Sequence, residues 1–400
     1  MHDYLLTYGL DWLNLLGRWL HLIAGIAWIG ASFYFVWLDN SIRPPKPGSD
    51  LERQGVSGEL WAVHGGGFYN PQKYLLAPKQ LPEHLHWFKW EAYVTWLSGF
   101  FLLLVVYYAN PQAMMIDRAV ADLASWQAIG IGLASLVIGW TVYDLLCRSP
   151  LGRHDLAFGV VTFALVVLAA YALSHLLNGR AAYLHVGAMI GTIMVANVLM
   201  VIIPGQRKMV AAISAGQTPD PIYGQRGKQR SVHNNYFTLP VLFIMISNHY
   251  AMTWNHPHGW LVLAAIMAAG VFIRHFFNLR HRGRVEWRYP LIGVVILAGA
   301  AIALAPKPPA RAAVNSSDFA KVQSVVTQRC VSCHSAAPTQ PGFAAAPAGV
   351  LLDKPKLLRQ HAARVYQQTV VLKAMPIANL TGITDQERAL IGAWFESGAK

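Results

Sequence analysis

The sequence predicts an all-α protein: a polytopic bundle of about eight transmembrane helices followed by a small all-α C-terminal domain. Three observations predict this. Of 400 residues, 54% are hydrophobic and only 13% charged, against about 25% charged in an ordinary soluble domain. Apolar runs near the ~20 residues that cross a bilayer recur through the first three quarters of the chain. Beyond residue 317 the pattern returns to that of a soluble helical domain. The expected division is therefore a membrane domain at 1–305, a linker at 306–317 and a C-terminal domain at 318–400.

The expected spans are 12–37, 87–108, 122–146, 156–177, 181–203, 237–255, 259–278 and 288–305. Tryptophans cluster near their ends, at Trp12, Trp37, Trp87, Trp254, Trp260 and Trp287, as in an interfacial belt. The first run is too long for a signal peptide and lacks a small-residue cleavage site, so it reads as an uncleaved anchor. Connections one, three, five and seven, counted with Arg288 at the start of the last span, carry sixteen Lys and Arg, whereas the even connections carry two, Arg118 and Arg180. The positive-inside rule then places the odd connections in the cytoplasm of a bacterium. Both termini and the C-terminal domain fall on the periplasmic side of the inner membrane. A net charge of +13 could accompany nucleic-acid binding, but the basic residues sit in short loops between apolar runs, so no nucleic-acid partner is expected.

The segment "PKPPARAAVNSS" has the composition of a linker. Next comes a helical start, "DFAKVQSVVTQR", and then Cys330, Cys333 and His334 in C-x-x-C-H, the attachment pattern of covalent c-type haem. A redox dithiol or half a zinc site competes, but a second cysteine pair is missing. Met375 precedes Pro376 in "LKAMP", a pattern suited to a sulfur ligand on a loop. His334 and Met375 form the expected axial pair of the haem c iron, and a thioether ligand raises the potential. The alternative for Met375 is an ordinary core methionine. Thr384 and Glu387 form a capping box, opening a helix whose Leu390, Ile391, Trp394 and Phe395 recur at helical spacing.

Ionisable residues inside a membrane are expensive and default to functional hypotheses. His21, His185 and His249 all fall toward the periplasmic side, beneath the C-terminal domain, as does His175 at the edge of its span. We expect His21 and His249 to ligate a haem b iron between helices, with His185 as a further candidate and Arg18 facing a propionate. The bland alternative is histidines bonding across packed helices, which is favoured for His175. Gly187 and Gly191 form G-x-x-x-G, a spacing for close helix packing.

Two connections, 39–86 and 204–236, exceed ordinary loop length and are expected to be functional. The first contains "SGELWAVHGGGFYNPQKY", whose glycines let backbone approach a ligand. His64, Phe68, Tyr69, Asn70 and Lys73 offer base, stacking and hydrogen-bonding groups. H-G-G-G also occurs as an oxyanion-hole element, but no G-x-S-x-G accompanies it. His84, Trp87 and Glu91 share a helical stripe, either near a substrate or as an interfacial anchor, with Lys89 or Arg274 as partners for Glu91. His64, Tyr69 and Glu91 are the catalytic candidates. Cys147 has no expected role beyond that of a buried thiol.

The stretches "RWLHLIAGIAWIGASFYFVWLDN", "ELWAVHGGGFY" and "HWFKWEAYVTWLSGFFLL", followed by a fused C-x-x-C-H domain, resemble the PuuD-type membrane-bound urate hydroxylases (urate oxidases) over essentially the whole chain. The resemblance implies oxidation of urate to 5-hydroxyisourate in purine breakdown. Electrons would pass to the haem c and on to a respiratory acceptor, a soluble cytochrome c or terminal oxidase, without peroxide release. It implies haem c on Cys330, Cys333 and His334, and fixes no urate-binding residue. The first span also resembles that of HemJ-type haem proteins, which favours His21 by analogy. The competing function is a membrane cytochrome b/c subunit relaying electrons from quinol or another subunit.

Overall fold

A computed structural model describes residues 2–305, 319–341, 343 and 345–399; the expected linker 306–317 lies outside the described residues. The long helices are α1 (His2–Ser41), α2 (Trp90–Tyr108), α3 (Ser125–Arg148), α4 (Asp155–Ser174), α5 (Gly179–Ser214), α6 (Pro221–Ser247), α7 (Gly259–His281) and α8 (Arg288–Ala303). Among the described residues, α1 to α5 and α7 are long and apolar enough to cross a membrane. The remaining two of the eight expected spans differ. The sixth is the C-terminal half of α6, a 27-residue helix whose other half is polar. The eighth is α8, only 16 residues, or ~24 Å.

Leu15, Trp19, Leu22 and Ile26 recur at helical spacing on α1 and are all more than half exposed, the pattern of a surface that meets lipid. The core lies between α3, α4, α5, α6 and α7, with Ile190, Met194, Ile244, Leu263 and Met267 fully buried. Gly187 permits close packing there, since a Cβ on it would stand 2.5 Å from Ile244, whereas Gly191 faces open space. Only one member of the G-x-x-x-G is therefore a packing residue.

Both long connections depart from expectation. Residues 204–236 are almost wholly helical, because α5 runs on to Ser214 and α6 starts at Pro221, capped by Asp220. Residues 39–86 contain two small antiparallel sheets, so the chain is not strictly all-α. Strand β1 (Val56–Glu59) pairs with β4 (Gln72–Tyr74), and β2 (Ala62–His64) with β3 (Gly67–Tyr69). Gly65 and Gly66, at φ +56° and +80°, supply the two left-handed residues that a tight hairpin turn needs. Two of the three glycines of H-G-G-G serve this turn, and Gly67 opens β3.

One buried ion pair ties three helices together. Arg230 of α6 donates to Asp144 of α3 at 2.7 Å and to Asn197 of α5 at 3.0 Å. Asn197 donates to Asn234 and to the Tyr143 hydroxyl. Asn197 opens a π-helical stretch in α5, Asn197–Ile202, where the wider backbone turn re-aims side chains.

The C-terminal residues bury a core of their own. Helices α9 (Phe319–Arg329), α10 (Pro355–Gln360) and α11 (Asp385–Glu396) enclose Val322, Val326, Leu358, Ile391 and Trp394. The capping box forms: Glu387 N–H donates to Thr384 Oγ1, and Thr384 N–H to Glu387 Oε2. Arg329 bonds Glu387 and the Thr381 carbonyl, fastening α9 to α11. This unit docks on the connection between α6 and α7, with Asn255 donating to the Leu372 carbonyl at 2.6 Å.

Asp144→Ala strands the Arg230 charge. Losing one partner of a buried pair costs about 3–5 kcal/mol, so a sharp fall in melting temperature or yield of the detergent-solubilised protein is expected. Burial pushes the Glu387 carboxyl up, but its bonds to Thr384 and Arg329 outweigh that and hold it below the usual range. Its contribution is thus present above the unfolded value of about 4.3 and lost as pH falls through the lowered folded value. Hydrogen exchange of the α11 amides across an acid titration, corrected for the intrinsic pH dependence, should show wild type losing stability in that window and Glu387→Gln starting lower with a flatter profile.

Candidate functional site

The C-x-x-C-H turn grows directly out of α9. Cys330 N–H continues the helix to Val326, and the N–H groups of Cys333 and His334 both fold back onto the Cys330 carbonyl. The three side chains that a covalent haem requires therefore share one turn. His334 Nδ1 donates to the Val350 carbonyl at 2.9 Å. That bond fixes the tautomer and leaves the Nε2 lone pair for a metal. Burial pushes the Cys330 thiol up to about 12 and Cys333 up as well, unlike the lowered thiols of redox dithiols. Met375 sits on a loop held by Arg388, a buried residue on α11. Its guanidinium donates to the Thr369 carbonyl and, at 2.9 Å, to the Met375 carbonyl. Its charge also acts on the Cys330 thiol. The chemistry of the donor set suits a haem c: Cys330 and Cys333 could take thioether links, and His334 Nε2 and the Met375 sulfur are the candidate ligands.

The membrane histidines divide. His21 rests on α2, its Nδ1 2.9 Å from the Thr95 carbonyl and 3.1 Å from Ser98 Oγ. Gly99 makes room for it, since a Cβ there would stand 2.8 Å from the ring. Nε2 remains for a ligand. His185 is fully buried with both nitrogens engaged, Nδ1 on the Ala181 carbonyl and Nε2 on the Tyr108 hydroxyl. It could meet an iron only by releasing Tyr108. His249 is exposed just beyond α6 and lines a cleft of about 580 Å³ with Arg180, Asn248, Met375 and Arg388. The structure thus brings His249 and Met375 to one cleft. Arg18 directs its Nε to Asn14 of the same helix, and His175 bonds the Tyr171 carbonyl.

The expected cytoplasmic set does not converge. His64 and Tyr69 project from the hairpin and are exposed. Asn70 is tied to Glu59 and the Leu60 carbonyl. Lys73 pairs with Asp39, as does Lys228, and burial together with the Lys228 charge pushes the Lys73 ammonium down. Glu91 lies half-buried in the first turn of α2. Neither expected partner reaches it, because Lys89 lies over the Trp90 ring and Arg274 bonds Asn235.

A second buried polar group, at the junction of α1, α6 and α7, was not expected. Arg274 Nε and Asn278 Nδ2 of α7 donate to the same acceptor, Asn235 Oδ1 of α6, at 2.8 and 3.1 Å. Asn235 Nδ2 reaches Ser32 of α1, and the Arg274 guanidinium lies 4.0 Å from the centre of the Phe33 ring. Arg274 is 5% exposed, Asn278 7% and Asn235 0%. The spacing 274, 278, 281 is a helical stripe of polar residues in an apolar run, and that stripe was the available signal. Cys147 gains a neighbour in the α3/α6 network, 3.9 Å from His233 Nδ1, which also bonds Tyr143.

Among the described residues no three His, Cys, Asp or Glu side chains form a cluster that could hold a metal ion by themselves. Neither curated proteins nor solved structures give a match. Residues 7–305 match the family model described as urate oxidase N-terminal. Most of the chain, from the first turns of α1 through α8, is covered, so the protein belongs to the urate oxidase N-terminal family.

Proposed function

We propose that the chain is a membrane-bound urate hydroxylase of the inner membrane that passes electrons to a C-terminal haem c on the periplasmic face. The half-reaction is urate plus water giving 5-hydroxyisourate, two protons and two electrons. From the haem c the electrons leave for a soluble cytochrome c or a terminal oxidase, so no peroxide forms. The observation that carries this reading is that one chain joins a urate oxidase N-terminal domain to a C-x-x-C-H domain docked on its end.

Each residue has a task in this scheme. Cys330 and Cys333 would anchor the haem, and His334 Nε2 and the Met375 sulfur would hold its iron. Such a haem accepts electrons singly, and the Met thioether raises its potential. Val350 holds His334 in the ligating tautomer, and Arg388 holds the Met375 loop. Asn255 seats that loop on the connection between α6 and α7, with His249 at the same cleft. All eight helices are taken as spans, with α8 presenting exposed Leu291, Val294, Val295 and Ile302 to lipid. His21 Nε2 would hold a haem b iron, a group that would supply one-electron transfer chemistry within the bundle. A relay from quinol explains the C-terminal turn equally well, but the family match favours urate.

Purified protein supplied with urate and a soluble cytochrome c should consume urate without peroxide. Cys330→Ala and Cys333→Ala should each abolish transfer to that acceptor. Met375→Ala should lower the potential, with about 59 mV worth a tenfold change in the one-electron equilibrium, while urate loss with an artificial acceptor persists. An unchanged potential removes Met375 as ligand, and peroxide formed in step with urate loss removes the haem route. His21→Ala should eliminate b-type absorbance in a pyridine haemochrome assay; a wild-type protein with c-type haem alone ends the haem b assignment.

A further inference from the structure

Buried polar groups are almost always hydrogen-bonded, because an unpaired one loses its water and gains nothing. In the α3/α5/α6 network this holds: Arg230 has Asp144 and Asn197, and Asn197 has Asn234 and Tyr143. The α1/α6/α7 group breaks the rule. Among the described residues, Arg274 Nη2, Asn278 Oδ1 and His281 Nδ1 are buried atoms with no hydrogen-bond partner, the nearby Tyr236 hydroxyl being engaged with His275 Nδ1 at 2.6 Å. They belong to residues four and three apart on α7, hence to one face and successive turns. A donor, an acceptor and an imidazole nitrogen thus stand in a row, with Asn235 and Phe33 fixing the guanidinium at its head.

We propose that this face of α7, with Asn235 of α6 and Phe33 of α1, binds the urate anion in the inner half of the bundle. The assignment rests on the reading of the chain as a urate oxidoreductase. It places the substrate within the helices, away from His64 and Tyr69. The chemistry selects the ligand class. The free Arg274 Nη2 calls for an anionic or carbonyl acceptor, and the free Asn278 Oδ1 calls for a donor beside it. An oxopurine monoanion carries carbonyl oxygens alternating with ring N–H groups in one plane and matches that order. A carboxylate offers acceptors only and leaves Asn278 unmatched, and a phosphate, which has a P–OH donor, lacks the flat π-face that Phe33 and the guanidinium suit. The apolar ring of Phe33 and the delocalised guanidinium suit a flat π-system. The same end of the bundle is basic: Lys73 and Lys228 meet at Asp39, and Arg282 bonds Asn40. That field draws an anion inward.

The test uses full-length holoprotein in detergent, with haem c content as the check on folding. Initial rates of urate loss give KM, and equilibrium dialysis with xanthine, an oxopurine lacking one carbonyl, gives binding without turnover. Arg274→Gln removes a charge-assisted contact and should weaken xanthine binding and raise urate KM together, by about tenfold to a hundredfold. Asn278→Ala, which removes no charge, should shift both about tenfold, and it carries the test if Arg274→Gln fails to accumulate. If wild type consumes urate while Asn278→Ala and His281→Gln keep KM and xanthine binding within about twofold, the three atoms are met by water and the site is elsewhere. If wild type binds xanthine at this stripe but never consumes urate, the site stands and the catalytic reading fails.

Discussion

A guanidinium in an apolar helix bundle must be surrounded by partners or it destabilises everything around it. Two arginines in this bundle meet that demand in opposite ways. Arg230 is saturated by Asp144 and Asn197, and the result pins α3, α5 and α6 into one unit. Among the described residues, Arg274 bonds Asn235 through Nε, and its Nη2 is left unpaired. The first arrangement is a structural joint whose hydrogen bonds close on themselves. The second is open and has directions left over. The fold supplies a rigid frame through Arg230 so that Arg274, one helix away, can be kept poised at a tolerable cost.

The other end of the molecule shows a corresponding division of labour. The haem-type residues of the C-terminal unit are fixed by bonds within that unit, His334 to Val350 and the Met375 loop to Arg388. Contact with the bundle passes through the same loop, at Leu372 and the cleft shared with His249 and Arg180. The segment that would ligate iron is therefore also the segment facing the membrane helices. On the proposed route, that geometry would shorten the distance an electron travels from the bundle into the C-terminal domain. It also makes the loop sensitive to how the two parts dock.

Much of this was legible in the sequence because its signals are local. Apolar runs marked α1 to α5 and α7, the five residues of C-x-x-C-H share one turn, and Thr384 with Glu387 formed the cap that their spacing requires. What was not legible depends on tertiary partners. Asp144, Asn197, Arg230 and Asn235 are single polar residues on different helices, and nothing in one helix says which residue of another it meets. Arg230 even passed for a loop charge, because the polar half of α6 resembles a connection. The H-G-G-G stretch misled for a related reason. Glycine serves a hairpin turn and a ligand loop alike, and only the pairing of β2 with β3 separates the two uses. The stripe Arg274, Asn278 and His281 was visible by spacing, but its meaning rests on the unpaired atoms that packing reveals.

The central claim is that urate gives up its electrons in the bundle and that they leave by way of the C-terminal domain. Anaerobic addition of a substoichiometric amount of urate to fully oxidised, purified protein tests it most directly, with the haem c absorbance followed in time. The account predicts prompt reduction of about two haem equivalents per urate, the number of electrons that hydroxylation releases. Haem that stays oxidised while urate disappears, or urate that survives unless oxygen is admitted, would contradict it.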